Sequence, residues 1–138
     1  MEIILCTAYT AFFIFLIYKM KFFEAEGLSK RAISFFFLLK VAAGIALWAI
    51  YTFYYTDRST ADIYKYFDDS KVLFDALNEK PVDFLKMLFG IANDSPYFDA
   101  HYYTVMNHWY KEFESNLFND AHTVIRFNAF VRLFSLGY

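Results

Sequence analysis

A single cysteine, Cys6, in 138 residues leaves no partner for a disulfide, so packing and not cross-linking must hold this fold. No basic cluster is interleaved with aromatics, and a net charge of −2 gives no general footprint for nucleic acid, which is excluded as a partner. The P-loop, the nucleophile elbow, G-x-G-x-x-G, paired CxxC and H-E-x-x-H are all missing, and several enzyme classes lose their usual support with them. There is also no repeat, no low-complexity tract and no soluble second domain.

Hydrophobic surface is abundant instead. The chain is 59% hydrophobic and 24% aromatic, with 19 Phe and 12 Tyr. A soluble domain of this length can bury only part of such a surface, so lipid or further helices must cover the rest. The run from Ala32 to Thr56 is broken only by Lys40 and exceeds the roughly 20 residues that a bilayer-crossing helix needs. An earlier run, Ile3 to Tyr18, reaches roughly 24 Å against a hydrocarbon core of about 30 Å. Met20, Phe22 and Phe23 can complete it while Lys19 and Lys21 extend to the interface. A cleaved signal peptide is the rival reading. Glu2 follows the initiator with no basic n-region, and no A-x-A-like site comes after the run, which favours a retained helix.

Two spans are therefore expected, over about 3–23 and 32–56. Lys19, Lys21, Lys30 and Arg31 lie between them, and such loops stay cytoplasmic. The chain from Asp57 onward carries twelve acids against eight bases, consistent with an extracytoplasmic location for 57–138. That segment reads as helical throughout. Ser59 with Asp62 resembles a capping box opening a helix over about 61–77, with Ile63, Phe67, Phe74 and Leu77 on its apolar face. A turn at Asn78 to Lys80 precedes a helix that starts at Pro81, carries Val82, Leu85 and Leu88, and ends at Gly90. After the Asn93-Asp94-Ser95-Pro96 loop, Phe98, Tyr102, Val105, Trp109 and Phe113 mark a third helix through to Glu114. Asn119 or Asp120 then caps a last amphipathic helix with Val124, Phe127, Val131 and Phe134 on one side and Arg126 and Arg132 on the other. It either lies along the membrane surface or begins another span. The chain stops at Leu136-Gly137-Tyr138 while still apolar, as the N-terminal part of a longer polytopic protein would. The expected fold class is all-α.

Candidate chemistry centres on carboxylates next to the membrane face. Asp57 and Asp62 can each accept a hydroxyl proton or hold a divalent cation against a phosphate. The alternative for Asp62 is a helix N-terminus, where the dipole favours acids. Asp68-Asp69 is the one adjacent acid pair outside the apolar runs. It serves a single site only at a helix edge and otherwise forms a solvated face, with Lys65 and Asp69 as an i,i+4 pair. His101, His108 and His122 lack the i,i+4 spacing of zinc sites on one helix and share a metal only if the fold gathers them. Lys40 lies about 12 Å inside the second run and is either functional or snorkelling. Arg126 and Arg132 offer forks that suit phosphate oxygens or lipid headgroups.

Ala61-Asp62-Ile63-Tyr64-Lys65-Tyr66 resembles the start of the first external loop of polytopic type C glycosyltransferases. Phe67-Asp68-Asp69, Asn107-His108-Trp109-Tyr110 and Ile125-Arg126-Phe127-Asn128 are similar to uncharacterised multi-spanning proteins of Bacteroidetes type. The resemblance implies a bacterial inner-membrane enzyme using a polyprenyl-phosphate sugar, with Asp62 as base or metal-linked carboxylate. Asp57 and Asp69 are further catalytic candidates, and Tyr66, Arg126, Arg132 and Lys40 are candidates for substrate binding. No cofactor is certain, and a divalent cation is compatible with the family. The chain departs from the family in its additional short first helix and in an acid pair that comes six residues late. The competing expectation is a non-enzymatic assembly or transport subunit that binds a partner, or further membrane helices, through its aromatic helices.

Overall fold

The computed structural model describes residues 2–55, 57–58, 61–110 and 120–137. Every regular element among them is helical. The chain divides into two compact units, Met1–Thr56 and Asp57–Tyr138.

The first unit is a helical hairpin of α1 (Glu2–Lys19) and α2 (Lys30–Phe53), with a 3₁₀ turn at Lys21–Phe23 between them. Ser29 caps α2 by accepting a hydrogen bond from the Ala32 amide at 3.2 Å. Lys30 closes the hairpin. Its ammonium donates to the Tyr18 carbonyl at the end of α1, 3.0 Å away, and pairs with Glu24 at 3.1 Å. Among the described residues of this unit, only Ile17 and Ser34 are buried. Hydroxyls on these apolar helices bond inward to their own backbone: Thr7 to the Ile3 carbonyl, Thr10 to Cys6 and Ser34 to Lys30. These bonds satisfy the hydroxyls within the helices, as an apolar environment requires.

Among the described residues, α2 alone is long and apolar enough to cross a bilayer, with 24 residues and a mean hydropathy of 2.2 over an 18-residue stretch of it. The expected first span over about 3–23 is not one continuous helix. Helix α1 ends at Lys19; the Met20 amide still bonds to the Leu16 carbonyl at 2.8 Å, but Met20 itself turns to an extended conformation. The reason is local. The last carbonyls of α1 meet the lysine-rich turn, where Lys30 satisfies one of them.

In the second unit, α3 (Asp62–Glu79) packs against both α4 (Pro81–Phe89) and α6 (Asp120–Ser135). A short helix α5 (Pro96–His101), a 3₁₀ turn at Tyr103–Val105 and an irregular stretch to Tyr110 lie between α4 and α6. The core combines Leu73 and Ala76 of α3, Phe84 and Met87 of α4, Phe98, Tyr102, Tyr103 and Trp109, and Ala121, Ile125 and Ala129 of α6. Pro81 opens α4, and Gly90 ends it in the left-handed conformation at φ +68°. The turn after α6 needs Gly137 twice over. Its φ is +87°, and a Cβ there would come within 2.9 Å of the Phe74 ring.

Sequence expectations change here for all four helices of the second unit. Helix α3 runs to Glu79, so only Lys80 separates it from α4. Its buried face is Asp69, Ser70, Leu73 and Ala76, whereas Ile63 and Phe67 are exposed. Ser59 lies outside the described residues, and Ala61 precedes the helix without a side-chain cap bond. Helix α4 likewise buries Phe84 and Met87 and leaves Val82 and Leu85 outside. The helix expected from Pro96 to Glu114 stops at His101; Phe113 and Glu114 lie outside the described residues. The amides of Asn107 and His108, which a continuous helix would give to carbonyls four residues back, go to the Asp69 carboxylate instead. Helix α6 is turned over. Its expected apolar face of Val124, Phe127, Val131 and Phe134 is exposed, while Ala121, Ile125, Ala129 and Arg132 are buried.

Candidate functional site

Residues 62, 66 and 69 lie one above another on α3, because i, i+4 and i+7 share a helix face. Along that strip runs the irregular segment Met106–Tyr110. Asp69 holds its backbone. One carboxylate oxygen accepts from the Asn107 amide at 2.7 Å and from its side-chain amide at 3.0 Å, and the other accepts from the His108 amide at 2.7 Å. These bonds stabilise a carboxylate that is only 1% exposed.

The His108 ring then projects along the strip toward the head of α3. Its Nε2 lies 3.0 Å from Asp62 Oδ1, its Nδ1 lies 3.1 Å from the Asn107 carbonyl, and its ring centroid is 5.2 Å from that of Tyr66. The Lys65 ammonium stands 4.0 Å from the same Asp62 oxygen, in place of the expected Lys65–Asp69 pair. Asp62 is 66% exposed at its side chain and His108 only 19%. An accessible carboxylate is thus backed by a largely covered imidazole, an arrangement that can take a proton from an approaching hydroxyl.

The other sequence candidates stand elsewhere. Asp57 is exposed at the start of the second unit. Lys40 is exposed on α2 in the first unit. Arg126 donates from Nε to the Met87 carbonyl at 2.8 Å, closing the C-terminal end of α4, and its guanidinium lies 5.5 Å from the Trp109 ring centre. Arg132 is 3% exposed. Its donors go to Ser70 Oγ at 2.9 Å, the Phe67 carbonyl at 2.9 Å and the Gly137 carbonyl. Arg132 is therefore a tie between α6, α3 and the final turn, and not the presented phosphate fork that its residue type suggested. Asp69 is likewise not a solvated acid; its oxygens are committed to the 107–108 backbone.

The three histidines do not gather. His108 sits on α3. The exposed His101 ring lies 4.2 Å from that of Tyr97. His122 stacks on Trp109 at 3.9 Å, with its Nε2 2.7 Å from the Trp109 carbonyl. Burial lowers its pKa below the ordinary 6.5. Among the described residues no three His, Cys, Asp or Glu side chains come together as a metal site. A lysine beside Asp62 further opposes a divalent cation there, so the surrounding residues do not form a ligand set for one.

A second polar cluster occupies the surface between α4 and α5. The Lys80 ammonium donates to the Tyr97 hydroxyl at 2.7 Å, and the hydroxyls of Tyr97 and Tyr102 donate to Asp83 at 2.6 and 3.1 Å. The Tyr97 bond holds the Asp83 carboxyl below its usual range, while burial and the bonds to Tyr97 and Asp83 push the Tyr102 phenol well up. Both effects favour a fixed α4–α5 corner.

His108 is the member of the site that sequence spacing did not select. Forty-six residues separate it from Asp62, and a helical reading of 96–114 aims it along a different element. The one local signal is Asn107, a residue that favours turns over helix interiors, just ahead of it.

A scan against protein-family models finds no match, and searches of curated proteins and of solved structures find none either.

Proposed function

We propose that this chain is the N-terminal portion of a bacterial inner-membrane glycosyltransferase of type C, acting on a polyprenyl-phosphate-linked sugar. In this reading α1 and α2 are anchored as two spans, the second unit is extracytoplasmic, and α6 lies at the bilayer interface. The observation that carries the reading is the contact of Asp62 with His108. Asp62, the accessible partner, takes the proton of the acceptor hydroxyl as its oxygen bonds to the anomeric carbon and the bond to the polyprenyl phosphate oxygen breaks. His108 orients the carboxylate, and Tyr66 flanks the ring. Further support comes from the length and hydropathy of α2 and from the ring of Trp48, Tyr54 and Tyr55 exposed near its end, where aromatic side chains mark a membrane interface.

In the full-length enzyme, Asp62→Asn is expected to lower transfer about 10²- to 10⁴-fold with expression intact, and His108→Ala is expected to follow it. Asp57→Asn leaves transfer unchanged. Retained activity in both Asp62→Asn and His108→Ala removes the first-loop mechanism. Orientation is tested separately by single-cysteine labelling after Cys6→Ser. Glu26→Cys should react from the cytoplasmic side and Glu79→Cys from the outside; reaction of both from one side sinks the two-span arrangement.

One observation favours a second reading, a non-enzymatic membrane subunit. Both arginines of α6 turn inward, which leaves Val124, Phe127, Phe130, Val131 and Phe134 as an exposed stripe without charge. A partner helix would cover it. Under this reading Phe127→Glu abolishes assembly, and Asp62→Asn has no effect.

A further inference from the structure

We infer that Asp69 is a positioning residue, which holds the 107–108 backbone so that the His108 ring stays against Asp62. The inference rests on the reading of Asp62 and His108 as the working pair. It is carried by the geometry of one helix face. Three side chains of α3 constrain one imidazole at different points: Asp62 at Nε2, Tyr66 along the ring, and Asp69 at the two successive amides that set the residue's direction.

Packing alone does not call for this. Trp109, the next residue, is already 3% exposed and stacked on Tyr103 at 4.0 Å and on His122 at 3.9 Å, so the segment is anchored in the core without Asp69. What the buried carboxylate adds is directional. Its bonds to Asn107 and His108 fix the peptide that Trp109 would otherwise leave free to rotate, and they fix it about two helical turns along α3 from the catalytic candidate Asp62. A ring restrained at its backbone, flank and tip loses little further freedom when a substrate arrives.

The test is carbethoxylation of histidines by diethyl pyrocarbonate in the full chain in detergent micelles, read residue by residue by mass spectrometry. Asp69→Asn replaces one acceptor oxygen by a donor facing an N–H. The His108 rate is expected to rise roughly tenfold, the factor that one charge-assisted hydrogen bond supplies. The His122 rate, which reports the aromatic core, stays at the wild-type value. Asp69→Glu, which restores both acceptors on a longer arm, recovers part of the protection. An unchanged His108 rate overturns the proposal, and so does a parallel rise at His122, because the carboxylate is then a support of the whole unit. Should Asp69→Asn not fold, Asn107→Ala removes a single part-buried bond to the carboxylate; a rise of about threefold at His108 is expected, and no rise overturns the proposal. Transfer activity separates the two levels. A released His108 with transfer intact removes the Asp62–His108 pair from the reaction and leaves the positioning role of Asp69 standing.

Discussion

In the hairpin, the hydroxyls of Thr7, Thr10 and Ser34 turn onto their own helices and most of the apolar side chains are exposed. In the second unit, Asp69, Ser70, Asn93 and Arg132 go inside, while Phe127, Phe130 and Phe134 remain out. The first pattern is apolar on all sides, which suits helices surrounded by hydrocarbon. The second exposes apolar side chains in patches, of which the one along α6 runs the length of a helix face, and that suits an interface. The difference teaches that hydrophobicity alone does not define the inside of this protein. Where the surroundings are apolar, hydrogen-bonding capacity decides, because an unmet polar group costs more than an outward phenylalanine.

The comparison breaks most directly on α6. Ile125 is fully buried and Phe127 is 64% exposed. Ile125→Ala is expected to lower stability by about 3 kcal/mol, whereas Phe127→Ala stays within about 0.5 kcal/mol in detergent. Urea unfolding of a Trp48→Phe background, followed by Trp109 emission, measures both. Equal losses would show that α6 is not turned as described.

Polar burial is the next lever. Arg132→Met keeps the volume and removes the donor shared by Ser70, Phe67 and Gly137, leaving the Phe67 carbonyl only its bond from the Ser70 hydroxyl at 2.6 Å outside the helix ladder; a loss of about 2 to 3 kcal/mol is expected. Arg58→Met, which removes an exposed pair with Asp68, should cost no more than about 0.5 kcal/mol. If both substitutions prove harmless, polar groups do not organise this unit.

The smallest effect is one of pH. The His122 imidazole takes up a proton near 6.5 in the unfolded chain and only at lower pH in the folded one, because burial against Trp109 opposes its charge. Its contribution is therefore complete above pH 6.5 and is lost as pH falls from there through the folded value. Urea midpoints from pH 8 to pH 5 should decline on the acid side, and the decline should shrink in His122→Phe, which keeps a ring on Trp109. An identical profile in that variant would refute the assignment.

Much of the architecture is written locally. The all-helical class, the starts at Pro81 and Pro96, the stop at Gly90 and the long α2 follow from caps, breakers and continuous hydropathy, which act within a few residues. Asp62 is legible as an acid heading a helix. Facing is less so, because apolar periodicity points a helix toward whatever is apolar nearby, and in this chain that is not always the protein's own core. The pattern of Val124, Phe127, Val131 and Phe134 is real, yet Arg132 and Arg126 turn the opposite side inward by finding carbonyls on other elements.

Sequence by itself determined where most of the helices start and which segments are apolar, since those depend on short-range backbone preferences and composition. Tertiary structure alone decided that Asp69 is buried, that residues 106–110 leave the helix, and that His108 meets Asp62. Each of these rests on hydrogen bonds between residues 38 to 46 positions apart. Their partners become neighbours only once α3 offers a face for the later segment to dock on.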